Sequence, residues 1–296
     1  MNQLRSDTTE NKVSLLLVVL FAASLPFDRF YSQILLLFLA LNTLIQLRAE
    51  NLRKVPLPAL LLHSCIWLLT LLGTAYTAFP QQAFPFWERQ LALLLLPLCL
   101  YLLPLNIQRY RKLVLEVFEA ATCMAALYLF SDALRTMLFY KQPLTTLWSP
   151  AYLSHNFSAP LDIHATYLSL FFSISLCFAL CSLLQGGLSR MRRIFQVMAS
   201  ALLLAALLQL ASRAVLAGTA VVALSVLPFS TPVKKRRIAW FVGLGAAALL
   251  ALALLNSFPY LYERMVTELR TDLGTHRAAG LVSDPRGQRW ELAGGI

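Results

Sequence analysis

Charged side chains are scarce in this chain, making up 13% of its 296 residues, where an ordinary soluble domain carries about a quarter. That shortage excludes a solvated surface over most of the sequence. Short catalytic signatures are missing as well. No P-loop, GxGxxG, HExxH or CxxC pattern occurs, which removes the usual phosphate-loop, dinucleotide, zinc-protease and thiol-redox chemistries. The five cysteines, Cys65, Cys99, Cys123, Cys177 and Cys181, all lie inside apolar runs, so no disulfide framework is expected. Cys177 and Cys181 are one helical turn apart, but no His or acid joins them at ligand spacing, and they read as small packing hydrophobes. No cofactor and no metal site is expected.

What the chain has instead is apolar length. Hydrophobic residues reach 58%, with a mean hydropathy of +0.66. A membrane-spanning helix takes about 20 predominantly apolar residues. Runs of that kind are Val13–Leu25, Ile34–Leu47, Leu57–Ala78, Leu91–Leu105, Leu113–Leu134, Ile163–Leu184, Ile194–Ala211, Ala214–Phe229 and Ile238–Phe258. The expected fold is therefore all-α and polytopic, with about nine transmembrane helices. The first two runs are short and separated only by Pro26-Phe27-Asp28-Arg29, which also permits a hairpin of short helices.

The basic residues fall outside these runs. Fifteen of the 25 lie at the N-terminus and in alternate loops: Arg48 to Lys54, Arg109 to Lys112, Arg190 to Arg193 and Lys234 to Arg237. The intervening loops hold Arg29, Arg89, Arg135, Lys141 and Arg213. Rich and poor loops alternating in register with the spans predict a cytoplasmic N-terminus by the positive-inside bias. The same bias accounts for the net charge of +11, and clusters without interleaved aromatics do not read as a nucleic-acid surface. The first run reads as a span and not as a cleaved signal, because Asp7 and Glu10 stand beside Arg5 and Lys12 in its head. Residues 1–258 are thus expected to be a transmembrane domain. Residues 259–296 are expected to begin a large periplasmic loop, and Arg135–Asp162 forms a second long external stretch.

Three groups of residues draw attention. From Ile194 to Phe229 the chain stays apolar for 36 residues, too long for one span, so a turn is required near Ser212-Arg213. An arginine at the bilayer centre costs about 2.5–3.5 kcal/mol. A tight hairpin that keeps one at its tip points to a task for it, against simple snorkelling. The second group is Asp162-Ile163-His164-Ala165-Thr166-Tyr167, which places His164 and Tyr167 within a turn at the start of a span. The third is Arg286, Arg289 and Trp290 in the tail, where two guanidiniums suit bidentate phosphate binding. Glu116 lies one turn beyond Lys112 and reads as its ion-pair partner, and His63 as a packing residue.

In that order, His164-Ala165-Thr166-Tyr167-Leu168, Ser212-Arg213 and Arg286…Arg289-Trp290, the chain resembles the O-antigen ligase and polymerase family of bacterial membrane glycosyltransferases. The likeness runs from about Leu57 to the last residue. It departs from the family at Ala165, where Pro is usual, and the family continues beyond this chain with a catalytic His late in the periplasmic loop. The resemblance implies transfer of polysaccharide from undecaprenyl diphosphate to a lipid A core sugar hydroxyl in lipopolysaccharide biosynthesis, at the periplasmic face of the inner membrane. It implies Arg213 and Arg289 as the residues that stabilise the leaving diphosphate, with His164, Tyr167, Ser212, Arg286 and Trp290 in substrate binding. The implied partners are the undecaprenyl-diphosphate-linked polysaccharide, the lipid A core acceptor and membrane lipids. It also implies that the chain is an N-terminal part, inactive alone. An O-antigen polymerase, a protein O-glycosyltransferase and, from another class, a secondary transporter or a membrane scaffold remain open alternatives.

Overall fold

The computed structural model of the chain describes residues 8–77, 80–231, 233–257 and 262–267. Among the described residues every regular element is helical. The chain divides into two compact units, Met1–Ala125 with Leu161–Ile163, and Ala126–Pro160 with His164–Ile296.

The first unit holds α1 (Thr9–Ser24), α2 (Arg29–Ile45), α3 (Ala49–Lys54), α4 (Leu57–Gly73), α5 (Pro80–Gln90) and α6 (Ala92–Leu102). Helix α7 (Ile107–Phe139) contributes to both units. The α1–α2 hairpin turns where the sequence loses its apolar run. Asp28 caps α2 by accepting the Phe30 N–H at 2.8 Å. The two helices are tied by polar side chains inside the apolar seam. Ser14 Oγ accepts from Asn42 Nδ2 and from Gln46 Nε2, each at 3.0 Å. At 16 and 17 residues, about 25 Å each at 1.5 Å per residue, these are the short helices the sequence allowed.

Among the described residues, three helices are long and apolar enough to cross a membrane: α7, α9 (Ala165–Gln185) and α10 (Arg190–Leu210). The sequence led to nine, and proline accounts for part of the difference. The Leu91–Leu105 run yields an 11-residue helix with Pro97 inside it, ending two residues before Pro104, because the residue before a proline is pushed out of the helical region. The Ala214–Phe229 run becomes a 13-residue helix, α11 (Arg213–Ser225), followed by a 3₁₀ turn that contains Pro228. Helix α7 errs in the other direction. Its 33 residues extend about 50 Å, well past a hydrocarbon core of about 30 Å.

The second unit is built on α9 and α10, which pack through buried Leu168, Phe172, Leu176 and Ala179 against Leu203, Ala206, Leu207 and Leu210. Small residues at such seams let helices approach closely. One end of this unit gathers the termini of α9, α10, α11 and α12 (Lys234–Ser257). Arg236 Nη1 donates to the carbonyls of Leu184 at 3.2 Å and Gln185 at 2.6 Å, satisfying the last turn of α9. Trp240 Nε1 donates to Ala223 O at 2.9 Å.

Gly186 makes that cap possible. It has φ 76 and ψ −164, a region open essentially to glycine alone, and a Cβ there would collide with the Arg236 guanidinium. Gly186→Ala is expected to lower stability by about 2–3 kcal/mol, combining backbone strain with the displaced cap. Denaturant unfolding in detergent checks it, with Gly218→Ala as the control. Gly218 lies within α11 with nothing within 4 Å of a Cβ, so alanine there is neutral or stabilising.

Candidate functional site

At the opposite end of the second unit the 36-residue apolar stretch breaks where its length required. Ala211 adopts φ 48 and ψ 35, the left-handed conformation that ends a helix. Its N–H still reaches Leu207 O at 3.2 Å and Leu208 O at 3.1 Å. Ser212 is extended, makes no side-chain capping bond, and α11 starts at Arg213. Arg213 therefore occupies the first helical position, where the aligned peptide dipoles already present positive charge. A cation gains nothing for the helix there and is repelled by it. It is half-buried, and its Nη1 has no contact with solvent. Positive guanidinium and positive helix end add together at one point.

One turn back, the fully buried Gln209 organises what lies beside this tip. Its Nε2 donates to Leu147 O at 2.6 Å and Tyr152 O at 2.5 Å, and its own carbonyl accepts the Ser154 N–H at 3.0 Å. Residues 140–160 are thereby fastened over the end of α10. They form two 3₁₀ turns, Leu144–Trp148 and Pro150–Tyr152, and the four-residue helix α8 (His155–Ser158), which packs on α9 and α10. Within them Asn156 Nδ2 donates to Pro150 O at 2.9 Å and Tyr152 OH to Gln142 Oε1 at 3.0 Å. Among the described non-glycine residues φ is positive at Lys141, Ser154, Asp162 and Ala211. Three belong to the connection between α7 and α9, and the fourth is the hairpin turn it covers. Such conformations cost of order 1–3 kcal/mol each and persist where surrounding structure over-determines them.

The second expected group assembles at the same end. His164 is the N-cap of α9, and its Nδ1 accepts the Thr166 N–H at 3.3 Å. Accepting at Nδ1 assigns the proton of the neutral ring to Nε2. Nε2–H then points away from the helix as a donor, suited to hold an oxygen. The Tyr167 ring lies 5.7 Å from that of His164. His155 stands edge-to-face against His164 at 4.3 Å. Spacing alone does not pair them, because the residues between them follow no single helical or extended repeat. All three rings are exposed.

Between α9 and α11 runs an apolar groove of about 550 Å³, lined by Leu170, Ile174, Cys177, Val215, Gly218 and Val222. Ser173 and Thr219 share a hydrogen bond of 2.6 Å within it. Gly218 and Ala214 leave the space that larger side chains would fill. The groove starts beside Arg213 and follows α11 away from it.

The tail residues Arg286, Arg289 and Trp290, like His276, lie outside the described residues, and of 259–296 only a π-helical turn at Glu263–Thr267 is described. Glu116 is half-buried and Glu119 fully buried on α7. The five cysteines are unbonded. Among the described residues no three His, Cys, Asp or Glu side chains converge as metal ligands. The site brings together Arg213, the His164 cap and an apolar groove, and compared with known proteins the chain matches no family model, no curated protein and no solved structure.

Proposed function

We propose that this chain carries the donor-binding part of an O-antigen ligase-type glycosyltransferase. In this reading it is a multi-pass protein of the bacterial inner membrane, with about nine spans, a cytoplasmic N-terminus and the Arg213 tip facing the periplasm. The observation that carries the reading is Arg213 at the positive end of α11, at the end of the unit where His164 caps α9. The likeness of His164-Ala165-Thr166-Tyr167-Leu168, Ser212-Arg213 and Arg286…Arg289-Trp290 to that family supplies the substrate.

The chemistry follows from the parts. The acceptor hydroxyl oxygen attacks the anomeric carbon of the lipid-linked glycan, and the bond from that carbon to the phosphate oxygen breaks. Undecaprenyl diphosphate leaves with the electron pair, and the hydroxyl proton passes to a general base. Arg213 stabilises charge as it develops on the diphosphate, which needs no metal because the leaving group is already good. His164 donates through Nε2–H to an oxygen of the donor, and Tyr167 offers its face to a sugar. Arg289 shares the diphosphate with Arg213, while Arg286, Trp290 and Ser212 complete the binding surface. The α9–α11 groove takes the first isoprene units of the lipid.

Two experiments test the proposal. Deleting the gene should remove O-antigen from the lipid A core on a lipopolysaccharide gel while lipid-linked polymer accumulates. Core bearing a single repeat would identify a polymerase, and an unchanged ladder would remove this function altogether. For orientation, single cysteines at Thr145 and Lys235, both exposed, are placed in a cysteine-free background. An impermeant thiol reagent should label intact cells at position 145 only. Labelling at position 235 would reverse the orientation.

A further inference from the structure

The sequence reads His63 as a packing residue, but the structure leaves it exposed on α4, beside exposed Leu61, Leu62 and Ile66 of the same helix. An imidazole among apolar side chains is costly unless its polar atoms are engaged, and an ionisable residue in an apolar helix is a candidate for function. Its two ring nitrogens have different tasks. Nδ1 lies 2.7 Å from Ala59 O, and a carbonyl oxygen only accepts, so Nδ1 carries the proton. Within α4 the Ala59 carbonyl already stands opposite the His63 backbone N–H. The side-chain bond therefore adds nothing that the helix needs; it fixes the ring. With the proton on Nδ1, Nε2 is the acceptor of the neutral ring.

Helices α4 and α6 pack together. Tyr101 of α6 sets its ring edge-on to His63 at 6.0 Å, with its hydroxyl 3.4 Å from Nδ1. Because Nδ1 donates, the Tyr101 oxygen accepts, and the phenol O–H keeps its proton for another partner. Both side chains line a pocket of about 450 Å³, within the usual size of small-molecule sites. Its apolar wall is Leu96, Leu100, Leu105 and Ile107, packed with the buried cluster that includes Leu103 and Tyr110. Asn106 joins the lining at the turn into α7. Its Oδ1 accepts the Arg109 N–H at 3.3 Å, so its amide NH₂ is the part presented as a donor. No charged side chain is among the described residues that line the pocket. One acceptor and two donors, all neutral, beside an aliphatic wall match an uncharged head group on a hydrocarbon chain. A hydroxyl suits the His63–Tyr101 pair best, since it donates to Nε2 and accepts from the phenol at once.

We propose that the pocket between α4 and α6 binds a neutral lipid alcohol of the acylglycerol class. A glycerol hydroxyl donates to His63 Nε2 and accepts from Tyr101, Asn106 donates to the ester carbonyl, and the acyl chain follows Leu96 and Leu100. The site lies within the first unit and stands whether or not the chain is a glycosyltransferase.

The test is saturation binding of radiolabelled 1-oleoylglycerol to the purified full chain in neutral detergent. Methyl oleate, which keeps the chain and the ester but has no hydroxyl, and oleate serve as competitors. 1-Oleoylglycerol should bind saturably. Methyl oleate should compete about tenfold less well, having lost the hydroxyl bonds, and oleate no better, because its carboxylate faces the Nε2 lone pair. Tyr101→Phe should weaken binding about three- to tenfold without moving the unfolding midpoint of the lipid-free chain. His63→Phe should weaken it at least as much, whereas Tyr128→Phe on α7 should not change it. Should His63→Phe fail to fold, Tyr101→Phe and the competition series decide the question. Absence of saturable binding, methyl oleate or oleate competing as well as 1-oleoylglycerol, or full binding by the Tyr101→Phe chain would overturn the site.

Discussion

Replacing Arg213 by Ala should reduce glycan transfer by a factor of about 10²–10³, the loss typical when one preorganised charge donor is taken from a transition state. The variant should remain folded. Arg213 sits at the first position of α11, where its charge opposes the helix dipole, so the helix itself does not depend on that charge. The pairing of lost activity with unchanged stability is the signature of a residue placed for a ligand. Arg213→Lys should recover part of the transfer, because an ammonium keeps the charge but cannot present two parallel N–H groups to a phosphate. Transfer from lipid-linked donor is measured alongside the unfolding midpoint of each variant. An Ala variant with normal transfer would leave Arg213 as an interfacial residue and would remove the main support for the proposed activity.

The second large effect is expected at Gln209→Leu. Leucine nearly preserves volume in a site with no solvent exposure. It deletes both donor contacts, to Leu147 O and Tyr152 O. Two net hydrogen bonds, together with carbonyls left unmatched, amount to about 2–4 kcal/mol. The loss should be local. The backbone bond from Ser154 N–H to Gln209 O survives, but residues 140–160 are otherwise released from the end of α10. Limited proteolysis should cut the Leu144–Tyr152 region of the variant and spare the wild-type chain, while α9 and α10 stay resistant. A variant as protected as wild type would show that the segment is held by its apolar contacts alone. Phe157 against Phe130 at 5.1 Å would be chief among them.

The contrast between these residues shows what the sequence could disclose. The Ser212-Arg213 break was legible because it follows from a length: 36 apolar residues do not fit one bilayer crossing. The His164 cluster was legible because its members are within one turn of each other. Helix lengths were less so. Counting apolar residues finds where a chain avoids water, whereas helices end where prolines interrupt the backbone, as after Leu102 and Ser225. They also continue where polar residues keep helical propensity, as α7 does through Arg109–Lys112 and Asp132–Arg135. Gln209 counted in the sequence only as one polar interruption among several. Its partners lie 57 and 62 residues earlier and are backbone carbonyls, which carry no residue code.

That separation bears on how the chain is made. Synthesis runs from the N-terminus, and residues 140–160 leave the ribosome well before Gln209 is joined to the chain. During that interval the segment has lost no freedom to the clamp, and the carbonyls of Leu147 and Tyr152 are satisfied by water. Only when α10 has formed and its far end has arrived can the amide displace that water. The neighbourhood of Arg213 and His164 thus matures only once Gln209 is in place, 57 and 62 residues after the two carbonyls it clasps.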